Sequence, residues 1–283
     1  MIRRSDLLSR MPCVLALLAG IAASAVEQST GAHPLDHSLA EKGPVYTDSL
    51  ARFFKAEEVE GTFLLYDLQT ARSIGHRPDL WDSAYIPAST FKIFNALVAL
   101  ETGVIRDEQT VIPWDGIERS REEWNRDHTL ASAFRVSAVW FYQELARRVG
   151  AERMQAFLDT VGYGNRTMGG PIDMFWLDGG IRITPRQQVQ FLVRLFKNDL
   201  PFSPRTMALV RKIMVQEKTG AYTLSAKTGW ADAEIPGVGW YVGFVERANG
   251  VFFFATELQI RKPDDVKARV ALTRTILSHL HLL

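Results

Sequence analysis

Two serines and two lysines in this chain stand where they could do chemistry together. In IPASTFKIFNAL, Ile86 to Leu97, Ser89 and Lys92 are three residues apart. On a helix that spacing turns both side chains to one side of the first turn. Pro87 precedes the pair, so a helix is predicted to begin near Ser89. A serine there sits in the positive potential of a helix N-terminus, among free backbone N–H groups. That setting suits an alkoxide or a developing oxyanion. Lys92 can act as a base only as a neutral amine or in a chemically changed form. Taken alone, S-x-x-K reads as a helix cap followed by a solvated lysine. Two features set this copy apart. Ser89 is the only serine with a lysine three places on, and Phe91, Ile93 and Phe94 give Lys92 an apolar setting that would depress its pKa.

The second serine is Ser137, in Ser137-Ala138-Val139, predicted at the start of a helix. S-x-V is a weak pattern, since Ser24-Ala25-Val26 matches it too. The second lysine must be chosen between two copies of K-T-G. Lys218-Thr219-Gly220 follows TMALVRKIMVQE, a helical pattern, and reads as a helix exit with a cation in the last turn and a glycine stop. Lys227-Thr228-Gly229 follows the alternating, β-rich AYTLSA and so lies on a strand. There Lys227 and Thr228 can flank a cleft, and Gly229 lets a substrate backbone approach closely. The backbone N–H of Trp230 could complete an oxyanion hole.

The elements that must hold these groups follow from periodicity. A helix is predicted around Thr47 to Lys55, then two strands around a polar turn in GTFLLYDLQTARSIGHR. From about 86 to 199 the pattern is helical: FKIFNALVALETG stopping at Gly103, VWFYQELARRVG, RMQAFLDTVGYG, and TPRQQVQFLVRLFKN with Thr184 as N-cap and Pro185 at the first helical position. Strands return after Gly220, with a hairpin at Asn249-Gly250, and an amphipathic helix covers 264–283. The fold class is α/β, of the α+β kind: an antiparallel sheet flanked by the terminal helices, plus an all-helical subdomain. The domain reading is a signal peptide over 1–25 and one catalytic domain over 26–283. Its sheet part spans about 45–85 and 200–283, and its helical part about 86–199.

The signal rests on a basic start, MIRRSDLLSR, an apolar run, CVLALLAGIAA, and the small-residue site Ala23-Ser24-Ala25, with cleavage predicted near Ala25. The run is too short for a stable membrane anchor. The expected location is therefore the periplasm, after export. The only cysteine, Cys13, would leave with the signal, so no disulfide and no thiol nucleophile remain. Over 283 residues the formal net charge is +1, which calls for neither nucleic acid nor an anionic membrane. Six scattered histidines form no metal-binding spacing with cysteine or acidic residues. Monomer and homodimer both stay open.

The ordered set Ser89-x-x-Lys92, Ser137-x-Val139 and Lys227-Thr228-Gly229 resembles the penicillin-recognising serine enzymes, and most closely the class D (oxacillinase-type) β-lactamases. Tyr163-Gly164-Asn165, Phe175-Trp176-Leu177, Trp114-Asp115-Gly116, Trp124-Asn125 and Trp240-Tyr241-Val242-Gly243 add to the resemblance, which runs from about Gly61 to the C-terminus. It implies a β-lactam as the small-molecule substrate, penicillins and oxacillin among them, and antibiotic resistance as the outcome. It implies Ser89 as the nucleophile that forms an acyl-enzyme. It also implies Lys92 carrying CO₂ as a carbamate (N6-carboxylysine) that serves as general base, so bicarbonate is needed but no cofactor or metal. By the same resemblance Trp176 holds the carbamate, Val139 and Leu177 line it, and Ser137 shuttles a proton. Lys227, Thr228 and Arg269 bind the substrate carboxylate, with Arg261 as a rival to Arg269. The N–H groups of Ser89 and Trp230 form the oxyanion hole. From the residues alone, Val139 replaces the asparagine of the class A S-D-N pattern and no glutamate stands suitably near Asn165 or Asp173, so a modified lysine is the economical base. Trp140 and Phe141 read as core or as a narrowing of the site. The alternatives are a β-lactam-binding sensor and a cell-wall transpeptidase or carboxypeptidase, both with slow deacylation.

Overall fold

The computed structural model describes residues 44–46, 48–232 and 235–283. The predicted signal segment lies outside the described residues. Pro44–Tyr46 (β1) and a short helix, Ala51–Ala56 (α1), lead to the hairpin Gly61–Asp67 (β2) and Arg72–His76 (β3). Its turn is set by the Asp67 carboxylate, which accepts hydrogen bonds from the N–H groups of Gln69 and Thr70. A 3-10 turn, Ala88–Phe91, opens the helix Lys92–Glu101 (α2). A two-stranded ribbon, Val111–Ile112 (β4) with His128–Thr129 (β5), precedes Leu130–Val136 (α3), Val139–Val149 (α4), Ala151–Val161 (α5) and Pro185–Lys197 (α6). Pro204–Met214 (α7), Val215–Lys218 (β6), Tyr222–Ala231 (β7), Gly237–Arg247 (β8), Gly250–Ile260 (β9) and Asp265–His279 (α8) complete the order.

The main sheet runs β1-β3-β2-β9-β8-β7-β6. Its neighbours are antiparallel except β1, which lies parallel to β3. β8 and β9 turn at Ala248-Asn249, one residue before the predicted Asn249-Gly250, and pair from Arg247↔Gly250 to Gly237↔Ile260. Side chains alternate across β9. Phe254 and Leu258 pack with Phe54 of α1 and Leu272 and Ile276 of α8 on one face. Phe253 and Ala255 face the larger core shared with α2 and α6. Both terminal helices thus share one face of the sheet.

Between them the helical part is organised by α2. Every residue from Lys92 to Leu100 is buried. A helix apolar on all sides belongs at the centre, and the single lysine on it is taken there as well. Asn95 fastens α2 to α4 by donating to the Tyr142 carbonyl at 3.0 Å. α6 begins as its sequence predicts: the Thr184 hydroxyl accepts from Gln187 N–H, the Gln187 side chain accepts from Thr184 N–H, and Pro185 follows.

Two expectations are corrected. The helical part is not all helix, since the β4–β5 ribbon lies within it. Lys218-Thr219-Gly220 is not a helix exit. α7 stops at Met214, and the β-branched Val215 starts an edge strand that pairs with β7. The Thr219 hydroxyl accepts from the N–H groups of Ala221 and Tyr222 and closes the β6–β7 turn. Lys218 is exposed there.

Candidate active site

Ser89 stands on the 3-10 turn that feeds α2. Ala88, before it, is fully buried with φ +48, a left-handed conformation that costs a side-chain-bearing residue energy and persists only where its surroundings enforce it. Three contacts do so. The Trp240 indole N–H, from β8, donates to the Ile86 carbonyl at 2.8 Å. The Thr90 hydroxyl donates to the Pro87 carbonyl at 2.7 Å, and Gln188 of α6 donates to that hydroxyl at 2.8 Å. Neither Thr90 nor Gln188 is singled out by sequence, because 98 residues separate them and their contact exists only in the fold.

Lys92 is fully buried one turn further on, and its Nζ donates to Ser89 Oγ at 2.6 Å. Burial holds the amine well below the usual lysine range, and the positive charges of Lys227 and Arg121 push the same way. The Lys92 amine also lies 5.5 Å from the centre of the Tyr142 ring.

Trp176 is fully buried, stacked on Phe91 at 5.3 Å and 15°. Its indole N–H has no hydrogen-bond partner among the described residues. A buried donor left unmatched costs on the order of 1–3 kcal/mol.

Ser137 sits between two helices. It is the left-handed residue (φ 57, ψ 37) that closes α3, and Ala138 then caps α4. This kink turns the Ser137 hydroxyl toward β7, where Lys227 Nζ donates to it at 3.0 Å and to the Thr228 carbonyl at 3.0 Å. Lys227 is buried with its amine 5.5 Å from the Phe134 ring centre. Burial lowers its pKa to about 7, with Arg269 and Arg121 adding to the effect.

β6 pairs only with Thr223–Ser225. Beyond that point the outer edge of β7 carries no strand among the described residues, and the Ser89 turn packs beside it. A Cβ on Gly229 would stand 3.0 Å from the Pro87 carbonyl oxygen and 3.1 Å from Thr90 Cγ2. The absence of a side chain at Gly229 therefore eases the approach of the nucleophile turn to the strand. Reading it only as clearance for substrate misses this.

Ser89, Ser137, Val139, Thr228, Gly229, Trp230 and Arg269 line one cleft of about 180 Å³, together with Arg121 and Trp124. Lys92 and Lys227 lie buried behind it through their bonds to Ser89 and Ser137. Arg269 of α8 donates to the Val266 carbonyl, its Nε is buried without a partner among the described residues, and burial lowers its pKa to about 10. Arg261 is elsewhere. It forms two hydrogen bonds with the Glu60 carboxylate, both 2.9 Å, and borders a separate hollow of about 500 Å³ that shares only Trp230 with the cleft. Leu177 packs partly buried against the core and is not a cleft residue.

Arg121 and Trp124 are cleft residues that sequence reasoning gave no role. Trp124 is fixed by its indole N–H to the Val136 carbonyl at 2.9 Å, and the Arg121 guanidinium lies 5.2 Å over its ring. Trp140 is core. Its indole N–H donates to the Trp124 carbonyl at 2.8 Å, and neither it nor Phe141 reaches the cleft. Asn125 accepts from Arg119 N–H and donates to the Arg119 carbonyl, closing the loop that carries Arg121. Gly164, at φ +55, lets Asn165 N–H reach the Arg182 carbonyl at 2.9 Å, and Tyr163 packs under Phe91 and Phe94. Among the described residues no group of histidine, cysteine and acidic side chains could hold a metal, and no helix is long and apolar enough to cross a membrane.

A sheet flanked by terminal helices on one face, a helical part on the other, and a serine–lysine pair at their junction define the penicillin-recognising class of enzymes. The family model described as the penicillin binding protein transpeptidase domain matches residues 61–278. The probable beta-lactamase YbxI of Bacillus subtilis is 41% identical over 241 residues, covering 85% of this chain and 87% of that protein. Beta-lactamase OXA-48 of Klebsiella pneumoniae is 40% identical over 224 residues, 79% and 84% of the two chains. The crystal structure of the class D β-lactamase YbXI from Nostoc superposes with a TM-score of 0.81 at 49% identity, covering 83% of this chain and 99% of that one. The chain thus belongs to the penicillin-binding transpeptidase family, in its class D branch of serine β-lactamases, hydrolases that open the cyclic amide of β-lactams.

Proposed function

We propose that the chain hydrolyses penicillins, oxacillin among them, through an acyl-enzyme on Ser89 with a carbamate on Lys92 as general base. The observation that carries this is the Lys92 amine, fully buried and 2.6 Å from Ser89 Oγ. As a charged ammonium it would be poorly solvated and could take no proton from serine. A neutral amine can add CO₂, and the resulting carbamate supplies an anion able to accept a proton from Ser89 and then from water. Trp176 would hold it, since an acceptor there matches the otherwise unpartnered indole N–H. Val139 would form its wall on the cleft side, and Leu177 the packing behind.

The chain's own groups do the rest. Arg269, Thr228 and Lys227 receive the substrate carboxylate, and Arg261, held by Glu60, takes no part. The N–H groups of Ser89 and Trp230 stabilise the oxyanion as Ser89 Oγ bonds to the carbonyl carbon. The carbon–nitrogen bond of the ring then breaks, and the nitrogen receives its proton from Ser137, which Lys227 resupplies. Proton exchange with solvent then returns the carbamate to its anion and Lys227 to its cation; water attacks the ester as the carbamate takes its proton, and the Ser89 oxygen leaves and receives that proton. Export to the periplasm, cleavage near Ala25 and antibiotic resistance complete the proposal, on the three-part N-terminal segment. The single catalytic domain would then be 26–283.

Penicillin hydrolysis followed from pH 5 to 8, with and without added bicarbonate, tests the base. Activity should fall on the acid side and recover with bicarbonate. Indifference to bicarbonate across that range would count against the carbamate.

A further inference from the structure

The cleft holds more positive charge than one substrate carboxylate requires. Among its lining residues are two arginines and no acidic side chain. Arg269, on α8, stands on the sheet side with Thr228, where the ring carboxylate is received. Arg121 comes from the helical part with Trp124 and has no counterpart in that role. It is exposed, has no ion pair among the described residues, and its guanidinium lies over the Trp124 ring rather than beside a carboxylate. The stacking and the Trp124–Val136 bond hold the charge in place at low entropic cost. Its field reaches Lys92, Lys227 and Arg269, each of which it helps to hold below the ordinary value. A cation so placed, without an ion pair among the described residues and near the cationic Lys227 and Arg269, is open to an anion from outside.

We propose that Arg121 is a specificity residue that receives a second negative charge, carried on the acylamino side chain of the β-lactam. The inference rests on the Ser89 acyl-enzyme reading. Once the carbonyl lies between Ser89 and Trp230 and the ring carboxylate lies on Thr228 and Arg269, Arg121 and Trp124 form the wall left for the rest of the substrate. The favoured substrates are dianionic, with a carboxylate or sulfonate near an aromatic group that Trp124 can face.

Benzylpenicillin and carbenicillin differ only by a carboxylate on the side chain, so their kcat/KM ratio isolates this charge. Measured at low ionic strength, the carbenicillin-to-benzylpenicillin ratio should fall roughly fivefold in Arg121→Gln, near the upper end of what an exposed charge pair contributes. Arg121→Lys should keep most of it, and 0.5 M salt, taken as roughly the level that screens exposed charges, should shrink it in the wild type. Because the ratio cancels any effect common to both substrates, a general loss of activity in a variant does not imitate the result. An unchanged ratio in Arg121→Gln would overturn the proposal. Failure of the wild type to open either penicillin would instead overturn the acyl-enzyme reading beneath it.

Discussion

Lys92 shows how little separates a base from an inert side chain. Its spacing from Ser89 is written in the sequence, and so is its apolar neighbourhood, because both are local to one helical turn. Lys92→Ala should lower penicillin turnover by on the order of a thousandfold, the scale of lost general-base catalysis. Trp176→Phe is a finer test, because it keeps a ring to stack on Phe91 and deletes only the N–H. It should lower kcat about tenfold and raise the bicarbonate concentration needed for half-maximal rate. A merely structural role for Trp176 would move thermal stability without moving the bicarbonate requirement. Lys227 sets the alkaline side. With a pKa of about 7 in the free enzyme, its proton is present below that pH and lost above it. kcat/KM should accordingly decline above about pH 7, which a pH profile reads directly. Arg121 was not legible, because an arginine on an irregular loop carries no periodic signal, and only the folded cleft gives it neighbours.

The elements explain why the motifs meet. The β8–β9 hairpin was legible near Asn249-Gly250, although its turn falls on Ala248-Asn249, and α6 was legible from Thr184 and Pro185, since turn and cap chemistry is local. The end of α7 was not. RKIMVQEK continues a helical pattern, but pairing with β7 takes Val215–Lys218 into the sheet. Ser137 does lie just before α4, but that it also ends α3 is not legible, because the left-handed residue between the two helices is no glycine. At this scale Gly229 is the critical position, where β7 and the Ser89 turn nearly touch. Gly229→Ala should cost about 1–3 kcal/mol of stability as the new methyl group displaces Pro87. Because that displacement moves the nucleophile, kcat/KM should drop on the order of a hundredfold, far more than the stability change implies. Steady-state kinetics beside a denaturant melt would separate the two effects.

The whole molecule carries a buried acid outside the catalytic cleft. Glu257 of β9 is 1% exposed, neither carboxylate oxygen has a partner among the described residues, and burial raises its pKa to about 8. An ordinary carboxylate in the unfolded chain has already lost its proton near pH 4.5, so the folded state holds one that the unfolded state does not. Stability therefore falls as pH rises from there to about 8. Glu257→Gln should raise the melting temperature by roughly 5 °C at pH 8 and change it little near pH 5. The two-faced sheet and helical part were legible as a strand–helix–strand order, whereas this burial depends on register across β2, β9 and β8, which one sequence does not specify. The central claim concerns turnover by the intact protein. The most direct measurement is intact mass over time after mixing with excess penicillin, with ring opening followed in parallel. The account predicts a short-lived adduct on the peptide holding Ser89 and many turnovers per molecule, with the adduct persisting in Lys92→Ala if it forms at all. A stoichiometric adduct that persists in the wild type, or turnover with Ser89 replaced by alanine, would contradict it.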